Sequence, residues 1–138
     1  MPNNKKQKRL KKEKIESRYD RCFKEYAEQI KIYCNEEISK SKSDYITKCG
    51  EPDDFTCRII EYVFYLNLLR KYSLTEVIVA QRIKTKNFDD FGDMDFFKIL
   101  YGYKTLKNYQ TQFGASGITP AVFMKEMVNY FARINKIG

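Results

Sequence analysis

A chain of 138 residues, 43% apolar and 32% charged, is the size of one domain and has the apolar content for a core. It holds no histidine, which excludes Ser-His-Asp and Cys-His nucleophile systems and the His-bearing metalloprotease and di-iron motifs. The net charge of +8 is unevenly placed: residues 1–14, MPNNKKQKRLKKEK, carry seven Lys/Arg and one Glu, leaving nineteen basic and seventeen acidic residues elsewhere.

The reading is therefore a basic arm, residues 1–14, on a nearly neutral helical domain, residues 15–138. Lys5, Lys6, Lys8, Arg9, Lys11, Lys12 and Lys14 are the candidate contacts to something anionic, such as RNA, DNA, a lipid surface or an acidic protein face. A solvated tail that only aids solubility is the plainer alternative. No apolar stretch follows the lysines, so the segment is not a secretory signal; one Leu among lysines also makes a poor transit peptide. A nuclear-localisation cluster would look similar.

Ile15, Tyr19, Cys22, Tyr26, Ile30 and Tyr33 recur at spacings of three and four, which predicts a first helix starting within the arm and running to about residue 40. SKSKSD, residues 39–44, reads as a loop. Pro52, Asp53 and Asp54 open a second helix to about Lys71. It contains IIEYVFYLNLL, too short for a membrane span, and is the candidate central helix. SLTE, residues 73–76, matches a capping box for a third helix over about 74–85. The β-branched run VIVA inside it could instead form a strand. A fourth helix over about 94–113, capped by Asp93, carries Phe97, Leu100, Tyr103, Leu106 and Tyr109 and ends at GASG. Thr119 and Pro120 open a fifth, to about 135, with Phe123, Met127, Phe131 and Ile134 on one face. The expected fold is all-α: a small bundle of about five helices with a long basic N-terminal helix. The eleven Tyr and ten Phe sit at helical spacing in the body rather than among the arm's charges, so they read as core rather than as stacking platforms for bases.

Few motifs carry chemistry. The acidic run NFDDFGDMD, with Asp89, Asp90, Asp93 and Asp95, puts Phe91 where a calcium loop needs a ligand, so it reads as a helix-capping loop. No glycine-rich phosphate loop is present, and no cofactor is expected. The four cysteines, Cys22, Cys34, Cys49 and Cys57, all fall between residues 22 and 57, with 11, 14 and 7 residues between them. Zinc knuckles need close pairs, and there are none. Two readings remain open: buried thiols acting as small core hydrophobes, or two disulfides across a helical hairpin.

The second arrangement resembles the coiled-coil-helix–coiled-coil-helix, or twin CX9C, family of small helical hairpins. The resemblance covers residues 22–57 only, and departs from the family in its spacings, eleven and seven where the family has nine and nine. It implies Cys22 and Cys34 as the first pair of the motif and Cys49 and Cys57 as the second. The bridges would be nested, Cys34–Cys49 and Cys22–Cys57, with residues 35–48 as the connecting loop. It further implies an oxidising compartment, the mitochondrial intermembrane space, and an accessory role in a respiratory-chain complex; cytoplasmic or nuclear residence is the alternative. The functional expectation is a non-enzymatic accessory or structural subunit, partnered by other subunits of a large complex. The alternative is a nucleic-acid- or ribosome-associated protein binding through its lysine arm.

Overall fold

A computed structural model describes the backbone of residues 3–136 and the side chains of residues 15–136. Those residues form five helices and no strand: α1 (Asn3–Cys49), α2 (Asp54–Arg70), α3 (Glu76–Thr85), α4 (Asp93–Ala115) and α5 (Pro120–Asn135). The segment VIVA is thus helix. The expected all-α bundle is what the chain forms.

α1 is 47 residues long, about 70 Å at 1.5 Å per residue. It does not stop near residue 40. Ile38 and Tyr45 are buried and Ser41 half-buried, so the inward stripe continues at spacings of three and four, while Ser39, Lys40, Ser43 and Asp44 face water. Serine lowers helix propensity only slightly, and two buried anchors outweigh that. The helix ends at Gly50, whose φ of +88° reverses the chain as its N–H bonds the Ile46 carbonyl at 2.9 Å.

That continuity corrects the hairpin expectation. Cys34 and Cys49 lie fifteen residues apart on one helix, about 22 Å, whereas a disulfide needs Cα atoms within about 7 Å. All four cysteines are free. Cys22 and Cys34 are fully buried and pack as small apolar groups; Cys49 and Cys57 are half-buried. The Cys49 thiol reaches the Arg133 carbonyl at 3.8 Å instead.

α2 and α4 form the centre, and α1 packs across both. Ile30 and Cys34 of α1, Leu68 and Leu69 of α2, Val79 of α3, and Phe96, Phe97, Ile99 and Leu106 of α4 make the main core. At Gly102 the α2–α4 contact leaves little room, since a Cβ there would lie 3.3 Å from Leu68 Cδ2. A smaller cluster of Tyr45, Ile59, Ile60, Val63 and Tyr130 joins α5 to α1 and α2.

The caps follow local chemistry, with two departures from the sequence expectation. Asp53 caps α2, accepting from the Thr56 N–H at 2.7 Å, and Thr119 caps α5 ahead of Pro120. At α3 the cap is Thr75, not Ser73; Ser73 sits in the left-handed region at φ 58° and Glu76 becomes the first helical residue. At α4 the cap position is Gly92, and Asp93 lies in the first turn without a capping bond.

Candidate interaction surface

The acidic run is held by arginines. Arg18 of α1 donates from Nε to Asp93 Oδ1 at 2.9 Å, and from its two terminal nitrogens to the carbonyls of Phe88 (3.2 Å) and Phe91 (2.6 Å). Its guanidinium also lies 4.1 Å from the Phe96 ring centroid. Arg21 takes the other Asp93 oxygen at 3.1 Å. Arg82 of α3 holds Asp90 at 2.8 Å, and the Tyr72 hydroxyl donates to Asp95 at 2.8 Å. The Arg18 hydrogen bond above all holds the Asp93 carboxyl below its ordinary range, and Arg82 does the same for Asp90. These acids tie α1 and α3 to the loop before α4. A cleft of about 350 Å³ beside this clamp, lined by Ile15, Arg18, Lys86 and Asp89 among others, takes one wall from an arginine that already donates three hydrogen bonds.

A second network joins α2, α3 and α4. The Tyr62 hydroxyl donates to Glu76 Oε1 at 3.1 Å. Gln110 Nε2 donates both to the Tyr62 oxygen (2.9 Å) and to Glu76 Oε2 (2.8 Å), and the Lys107 ammonium stands 3.5 Å from the same carboxylate. Burial pushes the Tyr62 phenol up to about 12, partly opposed by the Gln110 hydrogen bond. The network separates two apolar clefts. One, of about 350 Å³, is lined by Tyr62, Gln110, Phe113, Pro120, Phe123 and Met124. The other, of about 300 Å³, lies among Leu66, Leu69, Leu74, Glu76 and Val77. Every polar group of the network is hydrogen-bonded or ion-paired to another member.

The first cleft opens onto the outer face of α5. Phe123, Met127, Tyr130 and Ile134 point into the protein, and Tyr130 stacks on Tyr45 with ring centroids 6.0 Å apart. Phe131, expected on that inward face, is turned outward and Tyr130 takes its place, because the 3.6-residue period selects positions 123, 127, 130 and 134. Outside stand Met124 (59% exposed), Val128 (62%) and Phe131 (38%), while Val122 is exposed on the other flank of the helix. Val77 and Ile78 of α3 form another exposed apolar pair, Val77 at 80%. The aromatic rings mostly contact one another inside, as Tyr62, Phe113 and Phe123 do at 4.9 to 6.3 Å, so the outward apolar surface is largely aliphatic.

The candidate arm residues Lys5, Lys6, Lys8, Arg9, Lys11, Lys12 and Lys14 lie outside the residues whose side chains are described; their backbone belongs to α1. The structure brings none of the four cysteines together as a pair. The outward α5 face was missed because Phe131 was assigned inward; the signal was the apolar spacing of Met124, Val128 and Phe131. No described helix is long and apolar enough to cross a membrane.

Compared with family models, curated proteins and solved structures, the chain matches none of them.

Proposed function

We propose that this chain is a non-enzymatic accessory subunit, held in a larger protein assembly through the outer face of α5. One observation carries the reading: Met124, Val128 and Phe131 repeat at helical spacing on the exposed flank of a helix whose adjoining face is already packed. Isolated exposed apolar residues are ordinary, but a contiguous row beside an apolar cleft is the surface expected where another protein sits. Catalysis is given little to work with, since the chain lacks histidine and its half-buried acids and phenols bond one another.

The test is Val128→Asp in the full chain, expressed in its native cell. The expected result is a variant with unchanged helical circular dichroism that migrates as a free chain where the parent migrates in a larger complex. A variant still in that complex would overturn the reading.

A second reading, binding of nucleic acid along α1, has its own support. The Lys104 ammonium lies 3.7 Å from the Tyr19 ring centroid and that of Lys31 lies 5.6 Å from Phe23, so lysines and rings interleave on the flank of the helix that carries the basic arm. Salt-dependent RNA binding lost on deleting residues 1–14 would favour it; affinity unaffected by the deletion would remove the arm from it.

A further inference from the structure

We infer that the occupant of the outer α5 face is an amphipathic helix of another protein whose apolar seam is edged by carboxylates. The inference rests on the contact reading above and names the partner's chemistry. Ala121, Met124, Val128, Phe131 and Asn135 follow one another at spacings of three, four, three and four, and all five are exposed. That is the seam along which a second helix lies with knobs in holes. One border of the seam, carrying Met127 and Ile134, is sunk into the protein's own core. The open border carries Lys125, Asn129, Ala132 and Lys136. It therefore holds two ammonium groups, eleven residues or about 16 Å apart along the helix, and no acid. Glu126 projects away from this border.

Charge decides between a second copy and a different chain. Two α5 helices paired antiparallel, with Val128 layered on Phe131 of the other copy, bring Lys125 of each close to Lys136 of the other. The neighbouring register, a heptad away, sets Lys125 against Lys125. Both place like charges at the rim of an apolar contact, where they disfavour pairing. A helix with Glu or Asp at two flanking positions three turns apart meets the same lysines with attraction. Met124 also lines the adjacent cleft among Tyr62, Phe113 and Phe123, so a large apolar side chain at the partner's end has a place to enter.

The probe is a pair of synthetic helical peptides sharing one leucine seam, one edged with Glu and the other with Lys, titrated by fluorescence anisotropy against the full chain. The Glu-edged peptide is expected to bind at least about tenfold tighter, with the preference shrinking as salt is added. The double variant Lys125→Glu, Lys136→Glu is expected to reverse the preference, with helical content unchanged. Val128→Asp is expected to abolish binding of both peptides. Equal affinity for the two peptides, or a preference unmoved by the double variant, overturns the inference. A concentration-dependent dimer of the chain alone, lost in Val128→Asp, overturns it too, in favour of a second copy. If Val128→Asp leaves its native complex while the peptides bind without regard to charge, the acidic helix fails but the contact reading stands. If Val128→Asp stays in its complex, the contact reading itself has failed.

Discussion

Arg18 on α1 and Asp93 at the start of α4 are joined by a 2.9 Å ion pair across 75 positions of sequence. The same guanidinium holds two loop carbonyls and covers the Phe96 ring, so one side chain fixes where the longest helix meets the loop before α4. Arg18→Ala leaves the Phe88 and Phe91 carbonyls without that donor. It should lower stability by about 2 kcal/mol and speed amide exchange over residues 87–93. Arg18→Lys should recover little, because one ammonium cannot reach three acceptors and a ring in that geometry. Denaturant unfolding of the two variants checks this; equal stability of all three proteins would refute it.

The cysteines should divide by burial. Cys22 and Cys34 are 0% exposed, and burial pushes the Cys34 thiol up to about 11. In the native protein an aromatic disulfide reagent should modify Cys49 and Cys57 readily and reach Cys22 and Cys34 only on unfolding. Mass spectrometry without reductant should find four free thiols; two intact bridges would contradict the continuous α1.

The Tyr62–Glu76–Gln110 network should tolerate loss of one hydroxyl better than loss of the carboxylate's partners. Tyr62→Phe keeps the ring in the core and leaves Glu76 bonded to Gln110 and close to Lys107. It should cost about 1 kcal/mol. Gln110→Leu removes two donated bonds at once and should cost more. Thermal melts rank the two, and the reverse order would mean the hydroxyl anchors the network.

The pH dependence has two limbs. The Asp93, Asp90 and Asp53 carboxyls are all lowered in the folded state, the first two chiefly by arginine hydrogen bonds and Asp53 by the Thr56 N–H. The unfolded chain therefore binds their protons more tightly. Their contribution is present above about pH 4 and is lost as pH falls through the lowered values. On the alkaline side burial raises Cys34 to about 11 and Tyr62 and Tyr109 to about 12. There the folded state holds the protons, so stability falls from the ordinary thiol and phenol values up to the raised ones. Tyrosinate absorbance followed with circular dichroism should show the less buried phenols ionising first and the most buried ones only as helix is lost. Reversible ionisation of all eleven tyrosines in the folded protein would contradict this core.

Gly102 reports on the closest helix approach. Gly102→Val must place branched atoms against Leu68, where even a Cβ lies at 3.3 Å, and should cost about 1–3 kcal/mol. A neutral or stabilising effect in urea unfolding would show that α2 and α4 are looser than described.

Much of this fold could be read from residue spacing. The 3.6 period and the cap residues Asp53, Thr119 and Pro120 place α2, α4 and α5 within a few residues. What misled was local composition competing with packing. Residues 39–44 look like a loop until Ser41 and Tyr45 are counted into the same inward stripe as Ile38. Ser73 and Asp93 are good cap residues by type, yet neighbouring Thr75 and Gly92 take the caps: Ser73 lies in the left-handed turn and Asp93 is drawn to Arg18. Of the two cysteine readings, the nested bridges turned on a loop over residues 35–48 that is helix instead, while the buried-thiol reading describes Cys22 and Cys34. The outer α5 face was harder to see, since an apolar row reads the same whether it is bound for a core or for a partner.

Amide hydrogen exchange on the chain within its native assembly, set against the same chain alone, tests the contact reading most directly. Protection rising along residues 120–135, with residues 87–93 unchanged, is the predicted result. Protection confined to residues 5–14, with α5 exchanging as it does in the isolated protein, would contradict it.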